Sequence, residues 1–170
     1  TYESLDIYDA RVWGGQTPVL PESWTPDQIA WLRRNYGSDP FFVARSLARY
    51  WISGAQIENR NFDTDRNNRL LSALDSFEQD SRMIDDASFP DVPGIDQIAV
   101  PPNCLPKVAI LRRSRDPIFD RIFGDKKYLI NKDLYNNLDE VNKAALILHE
   151  LNYDEIFECG FVSSIPARYL

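Results

Sequence analysis

The feature that most constrains the fold of this chain is an apolar segment within residues 139–160. Asp139 precedes it as a helix N-cap, and Gly160 stands where a left-handed residue ends a helix. Residues 144–148 read Ala-Ala-Leu-Ile-Leu and are apolar on every side of such a helix, which is typical of a helix that packs on all its faces. We therefore predict one long central helix in this part of the chain.

The same helix carries the only histidine of the sequence. His149 is followed by Glu150, as in the helical motif of zinc proteases, but that motif needs a second histidine where Tyr153 stands. We therefore expect neither a bound metal nor another cofactor. Two interpretations stay open: the three side chains form a catalytic group, or His149 is a buried residue whose hydrogen bonds organise the fold. We favour the second.

A calcium-loop pattern also occurs, at residues 63–74. Its first residues place oxygen ligands at the spacing that opens an EF-hand loop. Asn68, however, replaces the turn glycine, and Leu74 replaces the bidentate glutamate of that loop. We therefore interpret Asp63 or Thr64 as the cap of a helix.

The first half of the sequence predicts three helices. Thr25 is the expected N-cap of the first, Gln28 is placed to close a capping box, and Gly37 ends the helix. A second helix is expected over residues 38–54, paired with the first as a hairpin, and a third lies within 61–83.

Three tryptophans lie in this helical part: Trp24, Trp31 and Trp51. They could line a sugar-binding surface. Aromatic side chains on periodic helix faces more often belong to the core, and we expect that here.

The second half mixes loops with short strands. Strand-forming residue types occur at 97–100, 107–111 and 127–130. A small sheet packed on helices indicates an α+β fold, with the long central helix after the sheet. We expect a single domain over residues 1–170, with an extended arm at 1–20, a helical part at 21–84, and the sheet plus C-terminal helix at 95–170.

The charge of the chain excludes one class of partner. The formal net charge is -7 and the pI is about 4.7, whereas a nucleic-acid binder needs clustered lysine and arginine. We interpret the short basic clusters at 33–34, 112–115 and 126–127 as solvated faces. No apolar run approaches the roughly 18 residues that span a bilayer, so no transmembrane segment is expected.

Two cysteines are present. Cys104 lies in a proline-rich loop and Cys159 at the end of the last helix. In an oxidising compartment we expect them to form a disulfide, which the chain-entropy treatment values at roughly 4 kcal/mol for so long a loop. In a reducing compartment we expect two small buried apolar residues.

The second half of the chain also resembles a known group of proteins. The residues that carry the resemblance are Pro-Pro-Asn-Cys at 101–104, DLYNNL at 133–138, and AALILHE at 144–150 with Tyr153 after it. Over residues 100–170 the chain resembles exported proteins of unassigned activity from predatory bacteria of the Bdellovibrio type. The resemblance implies a periplasmic or secreted location, and therefore a compartment that permits the disulfide.

Two functions from different classes follow. In the first, the chain is a non-enzymatic binding or structural module of the cell envelope. It contacts a protein, or a cell-wall or surface glycan, through exposed aromatic side chains such as Trp13, Trp24 and Tyr36. We favour this hypothesis, because a reacting site must admit substrate and water whereas the surroundings of His149 are apolar.

The alternative is a degenerate metallo- or acid–base hydrolase of peptide or peptidoglycan bonds. In it His149 and Glu150 act as metal ligand or acid–base pair, and Tyr153 donates to the oxyanion.

Overall fold

A computed structural model describes residues 19–58, 64–89, 107–112, 121 and 124–158. Within these ranges five helices accompany a three-stranded sheet, which confirms the predicted α+β class with its helical first half. The division of one domain into an arm, a helical part and a sheet part stays a prediction. Residues 1–18 of the arm lie outside the described ranges.

Helix α1 spans Pro26–Tyr36 and begins where the sequence predicts. The main-chain N–H of Gln28 donates to the hydroxyl of Thr25 at 3.3 Å, and the N–H of Thr25 donates to the side-chain oxygen of Gln28 at 2.9 Å. This reciprocal pair is the predicted capping box, which satisfies two of the main-chain donors that a helix start leaves open.

Helices α2 and α3 follow. α2 spans Phe42–Glu58 and therefore continues past Gly54, where the sequence predicts its end. Before it, the N–H of Phe41 donates to the carboxylate of Asp39 at 2.8 Å. α3 spans Thr64–Asp80, inside the predicted range; Asp63, the other candidate for its cap, lies outside the described residues.

The sheet has the strand order β1-β3-β2. The strands are β1 (Ser81–Ile84), β2 (Ile110–Arg112) and β3 (Tyr128–Asn131). β3 lies in the middle, parallel to β1 and antiparallel to β2, and all four of its residues are buried. The predicted strands at 107–111 and 127–130 are thus confirmed with shifted ends, and the one predicted at 97–100 lies outside the described residues.

Strand β1 is absent from the sequence prediction, which assigns a helix to this region. It follows α3 without an intervening residue and is only four residues long, so neither a turn signal nor an alternating pattern identifies it. The short helix α4, Lys132–Asn136, is likewise new. It is capped by Asn131, whose side-chain oxygen accepts from the N–H of Leu134 at 2.9 Å.

Helix α5 spans Glu140–Glu158. Its predicted N-cap is confirmed, because Asp139 accepts a hydrogen bond from the N–H of Asn142 at 2.8 Å. Gly160 lies outside the described residues. No helix in the described ranges combines the length and the apolar character that crossing a membrane requires.

The core confirms that α5 is central. Its most extensive contact in the described part of the chain is with α2, and Ala44 and Ala48 of α2 and Ala144 of α5 are all fully buried. Four fully or nearly fully buried rings complete the core through edge-on and tilted contacts with centroids 4.9–5.4 Å apart: Phe41, Phe77, Tyr128 and Tyr135.

Candidate functional site

The predicted catalytic residues all lie on α5. His149 and Tyr153 are half-buried neighbours one turn apart, with ring centroids 6.4 Å apart. Glu150 is buried, with 7% of its surface exposed. The structure therefore brings His149 and Tyr153 together as the spacing predicts, while Glu150 is directed into the protein.

A buried ionic group lies one turn beyond Glu150. Asp154 is 7% exposed. Its carboxylate accepts a hydrogen bond from the hydroxyl of Tyr128 on β3 and forms an ion pair with Arg112 on β2. The Nζ atom of Lys127 lies 2.5 Å from Oδ2 of the same carboxylate. We call these four residues the Asp154 cluster; it joins the last turns of α5 to two strands of the sheet.

The electrostatics of this region favour protonated tyrosines. Burial raises the pKa of Tyr128, and the negative charges of Asp154 and Glu150 raise it further, against the opposing effect of Arg112. Burial also raises the pKa of Tyr153, which Arg112 lowers and Glu150 raises. The raised pKa values extend the protonated form of both hydroxyls to higher pH, and the hydroxyl of Tyr128 donates to the carboxylate of Asp154.

The sequence analysis did not identify the partners of Asp154. Arg112 and Lys127 belong to short basic clusters that were interpreted as solvated faces, yet Arg112 is largely buried and both cations meet Asp154. The interpretation was wrong for Arg112, which lies on β2 with 16% of its side chain exposed, whereas Lys127, directly before β3, pairs with Asp154 while 39% of its side chain stays exposed. A buried carboxylate needs such compensation, so the polar residues within an apolar helix were the available signal.

The structure describes two of the three aromatic residues that were predicted to contact a partner. Trp13 lies outside the described residues, as do Cys104 and Cys159. Trp24 is half-buried against the core, because the chain turns there with a hydrogen bond from its N–H to the carbonyl of Pro21 at 2.8 Å. Tyr36 is 42% exposed at the end of α1.

Tyr36 belongs to a contiguous aromatic surface. Its ring stacks on Phe42, with centroids 4.0 Å apart and planes at 11°, and meets Trp31 edge-on at 6.2 Å. Trp31 is 51% exposed, so the prediction that it is a core residue was wrong, whereas Trp24 and Trp51 do pack against the core. We call Trp31, Tyr36 and Phe42 the aromatic patch.

A groove adjoins the aromatic patch between α2 and α3. Its lining residues are Phe42, Arg45, Ser46, Arg49, Leu74 and Asp75. Arg45 joins the two helices, because its guanidinium donates to the main-chain oxygens of Leu74 and Asp75 at 3.3 and 3.2 Å and pairs with Asp39. Arg49 pairs with Asp75 at the surface. We call this feature the arginine groove.

Helix α1, which carries two rings of the patch, has a polar contact with α5. It contains no buried residue. The Nε atom of Arg33 donates to the buried carboxylate of Glu140 at 3.1 Å, and Lys143 lies 3.4 Å from the same oxygen. Arg33 is thus another member of a supposedly solvated cluster that has a specific partner, and it connects α1 to the first turn of α5.

The described residues contain no group of three or more His, Cys, Asp or Glu side chains arranged to hold a metal ion. The segment 64–74, where the sequence carries part of a calcium-loop pattern, forms the first turns of α3. Comparison with known proteins gives no match to a protein-family model, a curated protein or a solved structure.

Proposed function

We propose that this chain is a non-enzymatic binding module that contacts a protein partner through the aromatic patch. The observation that carries the proposal is the contiguity of three rings on one surface, two of which are about half exposed. Contiguous apolar surface of this kind marks interaction sites, whereas isolated exposed apolar residues are ordinary.

The energetics support a protein partner. Burying a large apolar side chain contributes on the order of 1.5–3 kcal/mol, and tryptophan, tyrosine and arginine are the residues that dominate binding energy at protein interfaces. The patch offers Trp31 and Tyr36, with Arg34 in the same helix turn and Arg49 in the adjoining groove. A protein surface that covers the patch therefore gains apolar burial and charge-assisted hydrogen bonds together.

We also propose that the module is exported to the periplasm or secreted. The support is the resemblance of residues 100–170 to exported envelope proteins of predatory bacteria. In that compartment Cys104 and Cys159 form a disulfide. Mass spectrometry of the protein made in an oxidising compartment, with and without reduction, tests the bond as a two-proton mass difference; two alkylatable thiols without reduction would contradict it.

The hydrolase is the second candidate, and one observation favours it. His149 and Tyr153 are neighbours on α5, and a tyrosine hydroxyl is a donor of the kind that an oxyanion site uses. Glu150→Gln is expected to abolish any peptidase or peptidoglycan hydrolase activity, with His149→Gln as a companion variant. Turnover that survives both substitutions would contradict this candidate.

The proposed binding is tested by selection from a display library of short random peptides, with a glycan array run in parallel. Peptides selected on the wild-type protein are expected to lose at least about tenfold in affinity on Trp31→Ala, the effect of a strong contact residue. The matched control is Tyr50→Ala, because Tyr50 is 52% exposed and makes no ring contact with the patch in the described residues.

Three results would contradict the proposal. Equal losses in Trp31→Ala and Tyr50→Ala would indicate unspecific adhesion to any exposed ring. Peptide affinity that is unchanged in Trp31→Ala would place the binding site elsewhere on the protein. Binding to glycans with no Trp31-dependent peptide would assign the patch to a sugar. Thermal unfolding of both variants confirms that each one is folded.

A further inference from the structure

We infer that helix α1 unfolds locally, as a unit, while the rest of the fold stays intact, and that the ion pair between Arg33 and Glu140 controls how often it does so. The juxtaposition that carries the inference is a short helix without a buried residue, paired with a carboxylate that has a second cation beside it. Local openings of this kind span free energies from near zero up to that of global unfolding.

The first observation is the length of α1, which has 11 residues. Isolated helices shorter than about 12–15 residues are marginal in water, because nucleation is costly and a short helix forms few hydrogen bonds in return. The capping box at Thr25 and the arginines of the last turn favour the helix only by small local effects. α1 therefore depends on contacts with the rest of the protein to stay helical.

The second observation is how little of α1 is buried. Ile29, Ala30 and Leu32 are partly buried, and every other residue of α1 is exposed. Among the five helices in the described ranges, α1 alone has no buried residue. Resistance to local opening follows the apolar surface that the opening exposes. α1 is therefore the helix that can open at the lowest cost.

The third observation is that the chain is fixed on both sides of α1. Trp24 packs against the core before the helix, and Phe41, which is 3% exposed, is buried after it. These two anchors restrict any swing of α1 as a rigid body. The helix therefore opens by losing its helical structure between the anchors, while Trp24 and Phe41 stay in place.

The ion pair of Arg33 is the contact that opposes this opening at α5. The Nε atom of Arg33 donates to Oε1 of Glu140 at 3.1 Å. The side chain of Arg33 is 56% exposed, whereas that of Glu140 is 7% exposed. The guanidinium thus keeps much of its hydration, while the buried carboxylate gains a charge-assisted hydrogen bond. The pair therefore favours the docked, helical state of α1.

Glu140 remains compensated when α1 opens. Lys143, on the next turn of α5, lies 3.4 Å from the same carboxylate oxygen and has a side chain only 12% exposed. Glu140 also lies in the first turn of α5, where the helix dipole favours a negative charge. Loss of a partner is most destabilising when it leaves a buried charge uncompensated. α5 can therefore stay folded without Arg33, which makes the opening local.

The opening has a consequence for the aromatic patch. Trp31 and Tyr36 lie on α1, whereas Phe42, on which Tyr36 stacks, begins α2. The three rings are held together by a helical α1, so a partner that covers all three binds the closed state and slows the opening. This consequence rests on the proposed function, whereas the opening itself does not.

Hydrogen exchange of the full chain, followed by NMR or by mass spectrometry of peptic fragments, measures the opening. We expect the amides of α1 to exchange at least about 100-fold faster than those of residues 144–151 in α5, after correction for the intrinsic rate of each amide. A smaller difference would overturn the inference, because α1 would then unfold together with the core.

Two variants at adjacent positions identify the contact. Arg33→Gln is expected to speed the exchange of α1 about five- to tenfold and to leave residues 144–151 unchanged. The matched control is Arg34→Gln. Arg34 lies in the same last turn and is exposed, and it forms no ion pair within the described ranges, so a change below about twofold is expected. Both variants remove one positive charge from the end of α1, and their difference isolates the contact with Glu140.

The remaining outcomes are decisive as well. No acceleration in Arg33→Gln, or equal acceleration of α1 in both variants, would overturn the control by the ion pair. Equal acceleration of α1 and α5 in Arg33→Gln would make the pair a contact of the whole fold and would overturn the local opening. None of these results depends on whether the aromatic patch binds a partner, since Trp31-dependent peptide binding decides that separately.

Discussion

Helices α1 and α5 distribute their side chains in opposite ways. α5 places the carboxylates of Glu150 and Asp154 inside the protein, whereas α1 leaves the rings of Trp31 and Tyr36 outside and buries no residue. Inside, cations and a hydroxyl compensate the carboxylate of Asp154. The buried carboxylate of Asp154 on α5 thus has partners from the sheet, whereas the rings of Trp31 and Tyr36 on α1 stay about half exposed. We therefore expect the stability of the fold to depend more on α5 than on α1.

The strongest way to test this contrast is to remove a buried charge. Asp154→Asn is expected to lower the free energy of unfolding by about 3–5 kcal/mol, because Arg112 and Lys127 would lose the carboxylate that compensates them. Urea denaturation measures the change. The matched control is Asp75→Asn, also paired with an arginine but exposed, where a change of less than about 1 kcal/mol is expected. If Asp154→Asn also lowered the free energy of unfolding by less than about 1 kcal/mol, the Asp154 cluster would not stabilise the fold.

A second comparison uses isoleucines on the two helices. Ile147→Ala is expected to lower the free energy of unfolding by about 3 kcal/mol, because Ile147 is fully buried on α5 and its loss leaves a cavity. Ile29→Ala on α1, where Ile29 is only half-buried, should lower it by about 1 kcal/mol. Chemical denaturation of both variants measures the two losses in the free energy of unfolding. Equal losses would show that α1 contributes to the core as much as α5.

A third variant tests how a buried polar group without a hydrogen-bond partner affects stability, in contrast to the compensated carboxylate of Asp154 on α5. The hydroxyl of Tyr135 is buried and has no hydrogen-bond partner in the described part of the chain. Tyr135→Phe is therefore expected to raise the free energy of unfolding by about 1 kcal/mol at neutral pH. Tyr128→Phe, which takes a donor from Asp154, should lower it. A loss of stability in both variants would show that the Tyr135 hydroxyl has a partner.

The same variant changes the response to alkali. Burial, followed by the charges of Glu140 and Asp39, raises the pKa of Tyr135 in the folded protein. The folded state then keeps its proton above the unfolded pKa of about 10, so this contribution to stability is complete below about pH 10 and declines above it. Tyr135→Phe should make the decline shallower by up to about 1.4 kcal/mol per pH unit. Denaturation curves on both sides of pH 10 measure the slopes, and identical slopes would contradict the shift.

The smallest expected effect concerns the patch itself. Trp31→Ala should change the free energy of unfolding by no more than about 0.5 kcal/mol, as substitutions at surface positions do. Trp51→Ala is the control, because that ring packs against the core and its Nε1 donates to the carbonyl of Val19 at 3.1 Å; a loss of about 2 kcal/mol is expected. Thermal and urea unfolding compare them. A large loss in Trp31→Ala would make the ring a structural contact of α1.

Local signals predicted the parts of the fold that depend on neighbouring residues. The capping box at Thr25 and the cap at Asp139 are contained within four residues each, and both are present. The apolar stretch of α5 identified the central helix because burial on all sides leaves a composition signal. The sequence of β1 contains no such signal, since its four residues become a strand only by pairing with β3 across a long separation in sequence.

The candidate site was predictable to a smaller extent. The sequence identified His149, Glu150 and Tyr153 as unusual, and the i, i+4 spacing correctly placed His149 beside Tyr153. It did not reveal that Arg112 and Lys127 meet Asp154, because strand register decides which side chains face a helix. It also assigned Trp31 to the core, since periodicity shows which residues share a face and not whether another element covers that face.

The middle position of β3 has a consequence for how the chain assembles. Both of its neighbours in the sheet precede it in sequence, β1 by more than forty residues. On a ribosome, which adds about 5–20 residues each second, β1 leaves the exit tunnel well before the strand with which it pairs. The helical hairpins of the first half can form early from local contacts, whereas the sheet must wait for β3. The slow step of folding is therefore expected to be the pairing of β3, which enters the sheet between β1 and β2 after both of those segments have been synthesised.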